Sequence, residues 1–233
     1  MLEAAFWGLV GGLALVIGAA IALIPKHPIP DRAIAFVMAF GAGVLISAVA
    51  FDLTEEALGL GGGDSTAIGL ATGALVYFGG DRMLGRKGDG GDDPRGIVLG
   101  ALLDGIPESA AIGLTLVTGG SVSASFVFAV FLSNLPESIS ASSGLEKSGR
   151  EKAWIYGLWT LIALASAIAA GIGYEVLRDA TGDTLAFVNA FAAGAILCML
   201  ADTMMPKAFV KGGDKVGLVT VFGFALAALL SAG

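Results

Sequence analysis

The sequence predicts an all-α polytopic membrane protein, with eight transmembrane helices in a single domain over residues 1–233 and both termini outside. Three observations predict it. Of 233 residues, 56% are hydrophobic and only 14% charged, for a mean hydropathy of +0.85, whereas soluble domains carry about 25% charged residues. Charge-free runs of the roughly 17 to 25 residues needed to cross a bilayer recur along the chain. Finally, of the thirteen Lys and Arg, all but Arg178 fall in one alternate set of connections. Basic residues stay on the cytoplasmic side, so an even number of spans with outward termini follows, in a plasma (inner) membrane.

The first run, 4–24, stops at Pro25-Lys26-His27-Pro28. It lacks a basic flank and a small-residue cleavage site, and so reads as a retained helix rather than a signal peptide. The second, about 33–51, ends in Asp52-Leu53-Thr54-Glu55-Glu56, beyond which Gly61-Gly62-Gly63-Asp64 reads as a loop before the third run, 65–80. The longest polar stretch, 81–95, contains Gly88-Asp89-Gly90-Gly91-Asp92-Asp93-Pro94 and precedes the fourth run at 96–118. The fifth covers 121–145, the sixth 153–174, the seventh 184–205 and the eighth 216–233.

Composition also excludes. So apolar a chain is neither a soluble enzyme, a secreted disulfide scaffold nor a disordered tail. The net charge of −7 and pI near 4.6 argue against nucleic acid, whose phosphates require a basic footprint. The single cysteine, Cys198, permits neither an intramolecular disulfide nor a cysteine-based zinc cluster.

Ionisable groups within a span are costly and persist mainly where they face a protein interior or an ion path. Four stand out: Asp104 and Glu108 in the fourth run, Glu137 in the fifth and Asp202 low in the seventh. The fourth run reads Asp104-Gly105-Ile106-Pro107-Glu108-Ser109 and the fifth Ser133-Asn134-Leu135-Pro136-Glu137-Ser138, so a Pro-Glu-Ser core repeats. Asp104 and Glu108 share one helix face, as do Ser133 and Glu137. Each proline removes a backbone donor and frees the carbonyl four residues earlier, Leu103 and Leu132. Two kinked helices offering carboxylate, amide or hydroxyl and a free carbonyl at similar depth make an oxygen-lined cation site.

At 1.5 Å per residue, Asp104 and Glu108 lie about 12 and 18 Å from the inner face, and Asn134 and Glu137 about 20 and 24 Å from the outer face. In a core about 30 Å thick, all four fall in its middle-to-inner half. Asp52, Glu55, Glu56 and Asp64 gather at the outer mouth, where they would concentrate cations, and Asp202 sits near the inner exit. Plainer alternatives stand beside these roles. An intramembrane acid also serves as a helix–helix hydrogen-bonding device, Asp202 as a solvated helix end, and Asp52, Glu55 and Glu56 as a solvated cap. Cys198 serves as small filler, and His27 and the acids of 89–93 as ordinary cytoplasmic loop.

Over nearly the whole chain these residues resemble the ZIP (Zrt-, Irt-like) family of divalent metal transporters, as a divergent, prokaryote-like member. Phe40-Gly41-Ala42-Gly43-Val44-Leu45 through Asp52-Leu53-Thr54-Glu55-Glu56-Ala57 is similar to the family's second helix. Asp104–Ser109 resembles its helix-four signature His-Asn-x-Pro-Glu-Gly, and Ser133–Ser138 the helix-five signature. Phe191-Ala192-Ala193-Gly194-Ala195 through Asp202-Thr203-Met204-Met205-Pro206 resembles the seventh helix. Asp104 stands where the family usually has His, Gly105 where it has Asn, Ser133 where it has His or Gln, and Asn134 where it has an acid; Glu108 and Glu137 are kept. In the seventh helix Asp202 falls at a common His or Asp position. The sixth run has no acid between Lys152 and Glu175.

The resemblance implies a ZIP-like bundle in which helices one, four, five and six slide against two, three, seven and eight. It implies one central metal site of Asp104, Glu108, Ser133 and Glu137, with Asn134 and Asp202 as further candidates and no imidazole. The expected function is movement of divalent metal ions into the cytoplasm, zinc favoured by family with Mn²⁺ or Fe²⁺ as alternates. The metal is transported substrate rather than cofactor, no enzymatic activity is expected, and the partners are the metal and the bilayer, with a homodimer left open. Three other readings stand: a carrier of harder cations such as Mg²⁺, Ca²⁺ or Mn²⁺, which suit oxygen ligands; a non-transporting relative with a degenerate site; and an intramembrane aspartyl protease. The last rests on Gly61-Gly62-Gly63-Asp64 matching Gly-x-Gly-Asp, in an outer loop without a partner Asp at a credible depth.

Overall fold

The computed structural model describes residues 1–24, 29–83 and 94–231. The turn with Lys26 and His27, and the 89–93 acids with Arg86 and Lys87, lie outside the described residues. The described residues are 92% helix, with no strands among them. In order come α1 (Leu2–Ala22), α2 (Asp31–Ala48), a π-helical segment (Val49–Thr54) and α3 (Glu55–Met83). Then follow α4 (Pro94–Gly119), α5 (Ala124–Lys147), α6 (Lys152–Leu177), α7 (Gly182–Met199), a second π segment (Leu200–Met204) and α8 (Met205–Gly212). A 3₁₀ turn, Gly213–Lys215, leads to α9 (Val216–Ser231).

Among the described residues, six helical stretches are long and apolar enough to cross a membrane. Two of them, Asp31–Met83 with 53 residues and Gly182–Leu229 with 48, far exceed the length of one crossing. Each is broken at a glycine. Gly62, at φ 72° and ψ −171°, is the non-helical residue inside α3, and Gly213, at φ 71° and ψ −155°, caps α8. Such dihedrals are open essentially to glycine alone. The expected loop at 61–64 is thus corrected: helix runs up to and away from Gly62, because one glycine suffices to turn the chain. Likewise the seventh helix does not stop at Met205. Pro206 sits at the start of α8, where a missing N–H costs nothing, and the π segment before it has already shifted the hydrogen-bond register.

The helices form two groups. α1 packs on α5 and α6 and α4 on α6, while α3 packs on α7 and α2 on α8 and α9. Close approach within each group requires small residues. A side chain at Gly18 of α1 would collide with Ser138 of α5, and one at Gly194 of α7 with the Leu70 carbonyl of α3. α3 and α7 run parallel, since Gly69 faces Phe187 and Ala190 while Gly73 faces Phe191. The groups meet where α2 packs on α5 and α4 on α7. There Gly41 lies against the Leu132 carbonyl, a Cβ at 41 falling 2.8 Å from it, which is the carbonyl that Pro136 frees. Large apolar side chains such as Leu75, Leu161, Ile168 and Leu218 face outward.

Candidate functional site

One cavity of about 30 Å³ lies where the two groups meet, room for an ion-sized occupant with a water. α4 contributes Asp104 and Glu108, and α5 contributes Ser133 and Glu137. Across from them stand Met38 of α2, Met199 of α7, Thr203 and Met204 of the second π segment, and Lys207 of α8. Four of the predicted site residues are therefore brought to one space. The i, i+4 spacing accounts for this: 104 with 108 and 133 with 137 each share a helix face.

Glu108 is 1% exposed. Ser133 Oγ lies 3.5 Å from its Oε1 while also donating to the Val130 carbonyl at 2.9 Å, and Glu108 Oε2 is buried with no hydrogen-bond partner. Leaving a buried polar oxygen unsatisfied costs on the order of 1–3 kcal/mol, so the fold tolerates an unpartnered acceptor in a residue that lines the cavity. Asp104, also buried, accepts a 2.6 Å hydrogen bond from the Tyr77 hydroxyl of α3. That bond crosses from one helical group to the other.

The remaining predicted residues lie elsewhere. Asn134 does not line the cavity; its Nδ2 donates to the Gly11 carbonyl of α1 at 3.3 Å, because one step along α5 turns a side chain by about 100°. Asp202 is exposed and accepts from the Cys198 thiol at 3.7 Å, while its neighbour Thr203 faces the cavity. Asp52 takes Ser123 Oγ at 3.1 Å and Ser125 Oγ at 3.2 and 3.3 Å, tying the first π segment to the start of α5. Glu55 is exposed, and Glu56 half-buried. Among the described residues no three His, Cys, Asp or Glu side chains gather closely enough to hold a metal ion. The carboxylates share a space without converging on a point.

Sequence reasoning missed Tyr77, the three methionines, Thr203 and Lys207. Lys207 counts there only as a basic loop residue, whereas it stands on a helix. The signal was available: Met199, Thr203 and Lys207 are spaced by four, continuing one stripe of α7 into α8. No family model matches the chain, and no curated protein matches it either.

Proposed function

We propose that this chain is a ZIP-like carrier that moves divalent metal ions into the cytoplasm, crossing the membrane eight times with both ends outward. The supporting observation is the partnerless Oε2 of buried Glu108, in a cavity shared with Asp104, Ser133 and Glu137 between two helical groups. A dication in so dry a place needs anionic partners to offset its desolvation, and an unpartnered carboxylate needs a cation. Turns at Gly62 and Gly213 divide the two longest stretches into four crossings, making eight with α1, α4, α5 and α6. The basic asymmetry orients them.

The donor set supports borderline ions. Carboxylate and hydroxyl oxygens suit Mn²⁺ and harder ions, while the thioethers of Met38, Met199 and Met204 across the cavity add soft sulfur. Mn²⁺ or Fe²⁺ then competes with Zn²⁺, and Mg²⁺ or Ca²⁺ is the poorer fit. The test is uptake of Zn²⁺ and Mn²⁺ by liposomes reconstituted with the purified chain. Saturable uptake above empty liposomes is expected, and none for either ion would leave a scaffold or degenerate relative.

A further inference from the structure

A cation carrier gains nothing obvious from a fixed positive charge in its own binding cavity, yet Lys207 lines the same space as Asp104, Glu108 and Glu137. Two other lysines near this end are tied elsewhere. Lys211 pairs with Asp31 at 3.4 Å, and Lys152 pairs with Glu146 at 3.3 Å and donates to the Leu23 carbonyl at 2.9 Å. Among the described residues Lys207 takes no ion pair of that kind. It is also the exposed member of the cavity wall, where Asp104, Glu108, Ser133 and the methionines are buried and Glu137 and Thr203 are half-buried. The cavity therefore reaches the surface beside Lys207.

Position adds to charge. The acids stand on α4 and α5, in one helical group, and Lys207 stands on α8, in the other. Carboxylates sharing a poorly solvated space repel one another, and an ammonium opposite them offsets that repulsion when no metal is present. A dication and an ammonium cannot share so small a space, because like charges at such range repel strongly even at an effective dielectric near 20. The lysine stem has four flexible carbons and a compact charged head, so its head can withdraw to the open side and return.

We propose that Lys207 is a tethered counter-cation that exchanges with the transported ion: it neutralises the empty site, withdraws when metal arrives, and on returning drives the metal out on the cytoplasmic side. This rests on reading the cavity as a metal path. Without the ammonium the site should hold metal more tightly and release it more slowly, trading turnover for affinity.

The test compares the native full-length chain with Lys207→Gln, Lys207→Arg and Lys211→Gln, using Zn²⁺ and Mn²⁺ as probes. Equilibrium binding is measured on the purified protein and initial uptake rates in liposomes. Lys207→Gln should bind at least tenfold more tightly and show a maximal uptake rate at least tenfold lower. Lys207→Arg keeps the charge and should stay closer to native in both readouts, and Lys211→Gln, outside the cavity, should not tighten binding. If the native chain carries metal but Lys207→Gln matches it within twofold, binds more weakly, or is mimicked by Lys211→Gln, the exchange idea is overturned while the transport reading stands. If the native chain neither binds nor carries either ion, the transport reading itself fails and takes this inference with it.

Discussion

Glu108 concentrates the chemistry of the cavity, because its Oε2 is buried there without a hydrogen-bond partner. A residue kept for stability should become costly to remove, whereas one kept for an ion should be cheap to remove and functionally lethal. Glu108→Met, which replaces a buried carboxylate by an apolar chain of similar size, is therefore expected to hold or raise the thermal midpoint while cutting metal uptake at least tenfold. Thermal unfolding in detergent and liposome uptake read the two separately, and a large loss of stability would make Glu108 a packing element instead. Asp104 offers the complementary test of selectivity. Asp104→His supplies an imidazole and should shift competition uptake from Mn²⁺ towards Zn²⁺; an unchanged metal series would remove Asp104 from the ligand set. At this scale the cavity positions of Asp104, Glu108 and Glu137 were legible from the sequence because an ionisable group in an apolar run is expensive wherever it falls, and that of Ser133 because it shares a helix face with Glu137. Asn134 and Asp202 lie away from the cavity, and polarity alone does not say which face a residue occupies. Tyr77 was invisible because its significance comes from a helix remote in sequence, whereas Lys207 was passed over although it continues the four-residue spacing of Met199 and Thr203.

Helices in this protein are held by close approach of backbones rather than by large interlocking side chains, which is how apolar helices associate where lipid is as apolar as they are. The α3–α7 seam is the clearest case, with Gly69 and Gly73 on one helix and Gly194 on the other each in contact with the opposing backbone. Gly194→Leu cannot be accommodated by a rotamer change, since the obstacle is the Leu70 carbonyl rather than a flexible side chain. Overpacking costs about 1–3 kcal/mol, so the variant should unfold at a clearly lower temperature than native, whereas Gly79→Leu, with nothing near its Cβ, should not. Equal midpoints for the two would mean that the seam is looser than these backbone contacts require. The existence of the elements was legible from hydropathy, and boundaries at 152–177 or 94–119 lie within three residues of those read from sequence. Chain reversals were less so. A Gly-rich run such as 61–64 signals a loop, and nothing local says that one positive-φ glycine completes the turn or that a π segment lets helix resume at Pro206.

The whole molecule is two helical groups with different ties at their two ends. At one end Asp52, within the first π segment, is bound by Ser123, the N-cap of α5, and by Ser125 of α5; at the other the cavity reaches the surface beside Lys207. If the first end faces outside, the Asp52 contact lies on the outer side of the cavity and the exposed Lys207 on its inner side. The orientation is tested directly on a Cys198→Ala background. A cysteine at exposed Ser121 should react with an impermeant thiol reagent added outside intact cells, and one at exposed Ser148 should not; reversed labelling would exchange the outer and inner ends of the cavity. The closure is tested through the same chemistry, with Ser133→Cys as a reporter inside the cavity. In otherwise native protein that thiol should be reached from the cytoplasmic side and protected from outside. Hydrogen bonds to a charged group contribute roughly 1.5–3 kcal/mol, less where the pair is partly exposed as Asp52 is, and each 1.4 kcal/mol changes a population about tenfold. Asp52→Ala should therefore raise outside labelling of the reporter several-fold to tenfold without abolishing folding. Should labelling from outside stay at the native level while the protein remains folded, the Asp52 contact is a helix cap and the two groups are held closed by the packing of α2 on α5 and of α4 on α7.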